Sequence, residues 1–225
     1  MEKRIAIYEF ETTLNTNDIV KRLLNFSFTK ESLSGFSLSR AGSKGIIFKH
    51  IKKNISTDIV VTPFGEEFEN TVVDYTINNV KLLGNELYIF NPSRSLLPFR
   101  NELLKALDFK CTISNKSINL DSVLHLINSK FENVNVTSIE AVAHDIFVDT
   151  RVKMTIESNK DLLKKYKILS VSTNQKITKL GFEITFKDSI YFVELSCKGI
   201  VKIKGALIDS SLENQVFDIF SQVSN

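Results

Sequence analysis

The chain has 225 residues, 43% hydrophobic and 24% charged, with a formal charge of +3. These values exclude the collagenous, coiled-coil and disordered classes and leave enough apolar side chain for a real core. The charge is far below that of a dedicated histone-like or arm-type nucleic-acid binder, so an anionic partner is permitted and not demanded.

Residues 4–13 alternate and are rich in Ile, Tyr and Phe, which predicts a strand. Thr16 is placed to cap a helix, with Asp18 in its first turn, where a carboxylate suits the helix dipole. Val20, Leu23, Leu24 and Phe28 recur at helical spacing and define its apolar face. Residues 36–40 alternate again. A turn between Gly42 and Gly45 leads into 46–53, the second half of a hairpin. Further strands are predicted at 57–62, 68–77 and 87–90. Asn91-Pro92 breaks the chain, and Pro98 falls in the first turn of a helix beginning near Ser95 with Leu103, Leu104 and Leu107 inward.

The second half replays this order. Residues 109–115 read as a strand, and Asn119 caps a helix carrying Asp121, Val123, Leu126, Ile127 and Phe131. Strands follow at 134–142 and 146–156, a short extra helix at 160–166, then strands at 168–173, 177–186, 190–196 and 200–203. A closing helix runs from about 212 to 222.

The halves also match in residues. At an offset of 103, Asp18, Val20, Leu23, Asn25 and Phe28 fall on Asp121, Val123, Leu126, Asn128 and Phe131. The closing helices match at 113, with Asn101, Glu102, Leu103 and Leu104 against Asn214, Gln215, Val216 and Phe217. Residues 158–167 accommodate the difference. The expectation is an α+β protein of two tandem units, 1–108 and 109–225, each strand, helix, antiparallel meander and helix. Two such units are able to join edges into one long curved sheet with helices on one face. That topology is similar to tandem-repeat saddle folds, including that of the TATA-binding protein. The resemblance is one of fold and carries no functional residues.

Residues 1–10 contain no uncharged apolar core and no small-residue cleavage site, and the longest apolar runs are around five residues. The cytoplasm is therefore the expected compartment, with no membrane partner and with Cys111 and Cys197 reduced.

Chemistry-bearing patterns are sparse. There is no HExxH, CxxC or GxSxG motif. Gly42-Ser43-Lys44-Gly45 resembles half of a phosphate loop but lies between strands, where a hairpin turn is the simpler reading. Glu140 and His144 share a strand face, as an acid/base pair would. Asp188, Glu194 and Lys198 invite comparison with a metal-dependent nuclease core, alternation placing Glu194 and Lys198 on one face. Lys198 also stands beside Cys197, where it could lower the thiol pKa.

Two basic stretches stand out. The first holds Arg40, Lys44, Lys49, Lys52 and Lys53 with His50 and no acid. The second, 151–179, holds eight cations, among them Arg151, Lys153, Lys164, Lys165 and Lys167, against Glu157 and Asp161. Lys202 and Lys204 fall on a neighbouring strand. Such cations neutralise phosphates by releasing counterions. Against this, lysines guard sheet edges, and Asp58, Glu66, Glu67, Glu69 and Asp74 follow the first stretch closely. The functional expectation is a non-enzymatic binding protein that presents a curved sheet to a macromolecule, with nucleic acid ahead of protein and no cofactor or metal. The alternatives are an adaptor subunit or homo-oligomer that pairs through sheet edges, and a nuclease-like enzyme with a dispersed site.

Overall fold

A computed structural model describes residues 1–42, 45–131, 133–144, 151–162, 175–206, 212, 215, 216 and 219. Predictions that fall on 146–150, on the extra helix beyond 162, on the strand at 168–173 and on most of the closing helix lie outside them. So do Lys44, Lys164, Lys165 and Lys167.

The protein is α+β, and its largely antiparallel sheet is not closed. The chain forms two compact units, residues 8–114 and residues 1–7 with 115–225. Strand β1 (Glu2–Thr12) contributes to both.

In the 8–114 unit, helix α1 (Thr16–Asn25) is followed by β2 (Ser34–Gly42), β3 (Gly45–Val61), β4 (Glu67–Leu83), β5 (Glu86–Phe90), helix α2 (Leu97–Ala106) and β6 (Cys111–Asn115). The strand order is β2-β3-β4-β5-β1, with β6 also on β1. Asn15, not Thr16, caps α1: its side chain accepts the Asp18 N–H at 2.9 Å. The buried residues of α1 are Ile19 and Leu23, whereas Leu24 is exposed and Phe28 lies beyond the helix. The core is built from alternate positions on the sheet, Phe36, Ile46, Phe48, Val80, Leu82, Leu87 and Ile89, against Phe99 and Leu103 of α2.

In the other unit, helix α3 (Leu120–Lys130) precedes β7 (Val134–His144), β8 (Arg151–Glu157), β9 (Gln175–Phe186), β10 (Ser189–Ser196) and β11 (Ile200–Lys204), in the order β8-β7-β9-β10-β11-β1. Asn119 caps α3 as expected, accepting from Asp121 and Ser122 N–H. The core pairs Val123, Leu124 and Ile127 of α3 with Ile139, Leu180, Phe182, Val193 and Val201 of the sheet.

The structure does not show the duplication. The buried pair Ile19 and Leu23 of α1 corresponds to Val123 and Ile127 of α3, an offset of 104, so the identities at 103 lie one residue out of the burial register. The closing pair does agree at 113: Phe99, Leu103 and Ala106 correspond to Leu212, Val216 and Ile219, all buried.

Candidate functional site

The strands predicted at 46–53 and 57–62 are one strand, and 68–77 is the first part of another. β3 and β4 are 17 residues each and pair without a register shift from Ile46 opposite Leu82 to Val61 opposite Glu67. β2 flanks β3 only as far as Lys52, paired with Ser34, and β5 flanks β4 only down to Asn79, paired with Phe90. Residues 54–61 and 67–75 therefore form a two-stranded ribbon whose side chains are exposed on both faces save for half-buried Asn54. Ile55, Ile59, Val61, Val73 and Tyr75 share one face, opposite residues of an antiparallel pair lying on the same side. Phe64 at the turn is 91% exposed. Charge on this arm is one-signed: Asp58, Glu66, Glu67, Glu69 and Asp74, with no Lys or Arg from 54 to 77.

The base of the ribbon carries the first basic stretch. A register shift in β2 between Leu38 and Arg40 sets Arg40 opposite Ile47, and Lys49 lies opposite Ser37. Alternation then puts Arg40, Lys49 and Lys53 on one face, away from the α2 helix, together with Lys81 of β4 opposite Ile47. Lys52 faces the other way. None of these five pairs with a carboxylate among the described residues. The acids between 58 and 74 lie out along the ribbon and do not pair with them.

His50 does not join this surface. It is 1% exposed and packed between Phe36 and Phe99, with ring centroids at 5.5 and 5.4 Å. Ser93 N–H donates to Asn78 Oδ1 at 3.0 Å, which turns the Asn78 amide nitrogen toward His50 Nδ1 at 3.4 Å. Nδ1 then accepts, and Nε2 carries the proton that it donates to Glu102 at 2.8 Å. This is a buried structural network. The sequence held the signal, since His50 is in phase with Ile46 and Phe48.

Among the described residues of the second group and its neighbouring strand, four lysines hold carboxylates. Lys153 and Lys179 converge on Glu140 at 3.2 and 3.3 Å, Lys202 meets Glu194 at 2.6 Å, and Lys204 meets Glu2 at 3.2 Å. Arg151 lies in β8 opposite His144. Partial burial pushes the Glu140 carboxyl up, but hydrogen bonds from Lys153 and Lys179, the Lys179 charge and the Thr178 hydroxyl outweigh it and hold it below the usual glutamate range.

The alternation that would set Glu194 and Lys198 on one face does not hold. β10 ends at Ser196, so Lys198 stands in a turn and shares no strand face with Glu194, which is engaged by Lys202. Asp188 sits in the β9–β10 turn at φ 61. Burial pushes the Cys111 thiol up, away from reactivity. No group of three or more His, Cys, Asp or Glu among the described residues is arranged to hold a metal. No described helix is long and apolar enough to cross a membrane.

No protein-family model and no curated protein matches the chain.

Proposed function

We propose that this chain is a non-enzymatic binding protein that contacts another protein through the β3–β4 ribbon. The carrying observation is the ribbon itself: apolar residues in the open on both faces, ending in Phe64. Monomeric proteins seldom leave such contiguous apolar surface uncovered, and it marks contact sites. The one-signed acidity of 54–77 opposes phosphate and suits a basic-rimmed protein surface or uncharged backbone. Replacing Ile55, Ile59, Phe64 and Val73 together by Ser leaves the core untouched and is expected to abolish a protein association that the wild type retains on affinity purification. Identical sets of bound proteins for wild type and variant, both folded by circular dichroism, overturn the reading.

A second reading attaches to the ribbon's base. Arg40, Lys49, Lys53 and Lys81 lie on one face without carboxylate partners among the described residues, as binding to a phosphate backbone would require. Here a gel shift over a salt series decides. Arg40→Ala with Lys49→Ala should flatten the logarithmic salt dependence by roughly one unit for each phosphate that is no longer neutralised, and no shift at low salt removes nucleic acid.

A further inference from the structure

We infer that the ribbon's partner is a second copy of this chain, joined edge to edge along β3 about a two-fold axis at Thr57. This rests on the reading of the ribbon as a protein-contact element and concerns its backbone edge, leaving the apolar faces open to further contact.

The two open edges of the ribbon differ. On β4, the outward N–H of Tyr75 is already taken by the neighbouring Asp74 carboxylate at 2.7 Å, and Glu67 and Glu69 add charge beyond it. On β3, Lys53 N–H points away from β4 and donates to Leu33 at 2.7 Å, while Thr62 N–H points inward to Glu66 at 2.8 Å. Strand alternation therefore aims the N–H and C=O groups of Ile55, Thr57 and Ile59 at the open side. None of the usual guards protects them. There is no proline and no bulge from 54 to 61, and Asp58 is the only charge.

The sequence around this edge is self-complementary. Outward-pointing groups bond only to outward-pointing groups, so odd positions of one copy must face odd positions of the other. Centring on Thr57 sets Ile55 of one copy opposite Ile59 of the other and extends their apolar face across the seam. It also places Ser56 opposite Asp58 of the second copy, where the hydroxyl donates to the carboxylate. A slip of one rung in one direction puts the two Asp58 carboxylates face to face, a destabilising pair. A slip in the other direction shortens the overlap, because β2 occupies β3 from Lys52 inward. This is the closed, isologous geometry of a two-fold dimer. The acidic β4 strands become the outer strands, about 14 Å apart at three strand spacings, and beyond the Debye length of about 8 Å at physiological salt. A seam of this length is small, so the dimer is a weak one that forms as concentration rises.

The test is sedimentation equilibrium over a concentration series with the full chain. The wild type should pass from monomer to dimer. Thr57→Pro removes an outward N–H that the β3–β4 ladder does not use, and should weaken association roughly tenfold or more. Ile59→Lys guards the same edge by another route and replaces the proline variant if circular dichroism finds that variant misfolded. Under mild oxidation Thr57→Cys should give a disulfide-linked dimer, since directly opposed residues of a hydrogen-bonded pair lie about 5.5 Å apart between Cα atoms. Val61→Cys, facing Lys53, should not. A wild type that stays monomeric at every concentration overturns the inference, as does undiminished dimerisation of both edge variants, or equal cross-linking at 57 and 61. If the wild type is monomeric yet its ribbon still retains another protein, only the self-pairing falls. If it retains none, the protein-contact reading falls with it.

Discussion

His50 shows how strongly one side chain's meaning depends on the face it occupies. Among lysines in the sequence it looks like part of a cationic patch, yet it is enclosed by phenylalanine rings and hydrogen-bonded through both nitrogens. His50→Leu keeps the volume but strands the buried Asn78 amide, and Asn78 has no route to water at 1% exposure. We expect a loss of about 1–3 kcal/mol, read as a lower urea midpoint at unchanged slope. Gly199 makes the opposite point, that a residue with no side chain can be indispensable. At φ 74 its missing Cβ would lie 2.6 Å from the Ile7 carbonyl oxygen, and its own carbonyl accepts the Ile7 N–H at 2.8 Å. A side chain there would push β1 off the turn before β11.

At the scale of elements, the β7–β8–β9 ladder is tied by Glu140. Its carboxyl is held below the ordinary glutamate value, so it stabilises the fold above that value and loses the contribution as pH falls through the lowered folded pKa. Glu140→Gln should therefore be less stable than wild type at neutral pH, by no more than about 1 kcal/mol for pairs this exposed. The two proteins should converge in acid, and urea titrations at several pH values check this. Legibility in the sequence follows burial. Strands with a buried face, such as β5, β9 and β10, lie within two residues of their predicted ends, because packing writes a binary pattern into them. The ribbon reads as fragments because both of its faces are open and nothing imposes alternation beyond Lys53. Helix α1 shows a misleading stripe because Leu24 and Phe28 are apolar without lying in its packed face, while Ile19 carries the packing. The basic stretches are visible as composition. Which cations share a face or already hold a carboxylate depends on cross-strand register, which one strand's sequence does not contain. The apolar ribbon has one readable trace: β-branched residues mixed with acids and no Lys or Arg from 54 to 77.

For the whole molecule, the significant feature is that the unit holding residues 115–225 is completed by residues 1–7. Glu2 to Ala6 pair antiparallel with Lys204 to Ile200, and Ile5, Ala6 and Ile7 are buried. Removing residues 2–6 bares the β11 edge and the core beneath it. We expect the truncated protein to melt its 115–225 unit at lower temperature, while the hydrogen-exchange protection of β3, β4 and α2 is retained through the 8–114 unit. Uniform loss of protection across both units would contradict this.

The same pairing has a consequence during synthesis. Residues 8–114 hold every strand of their own unit and can fold while the ribosome is still working. The opening residues of β1 must wait until Ile200–Lys204 has emerged before β11 exists to receive them. Through that interval the edge of residues 2–6 that β11 later covers stays open, and chaperones acting at the ribosome are the natural agents to shield it. A fusion appended ahead of Met1 would test the nascent chain where it is least protected, well before any loss could be read from the finished protein.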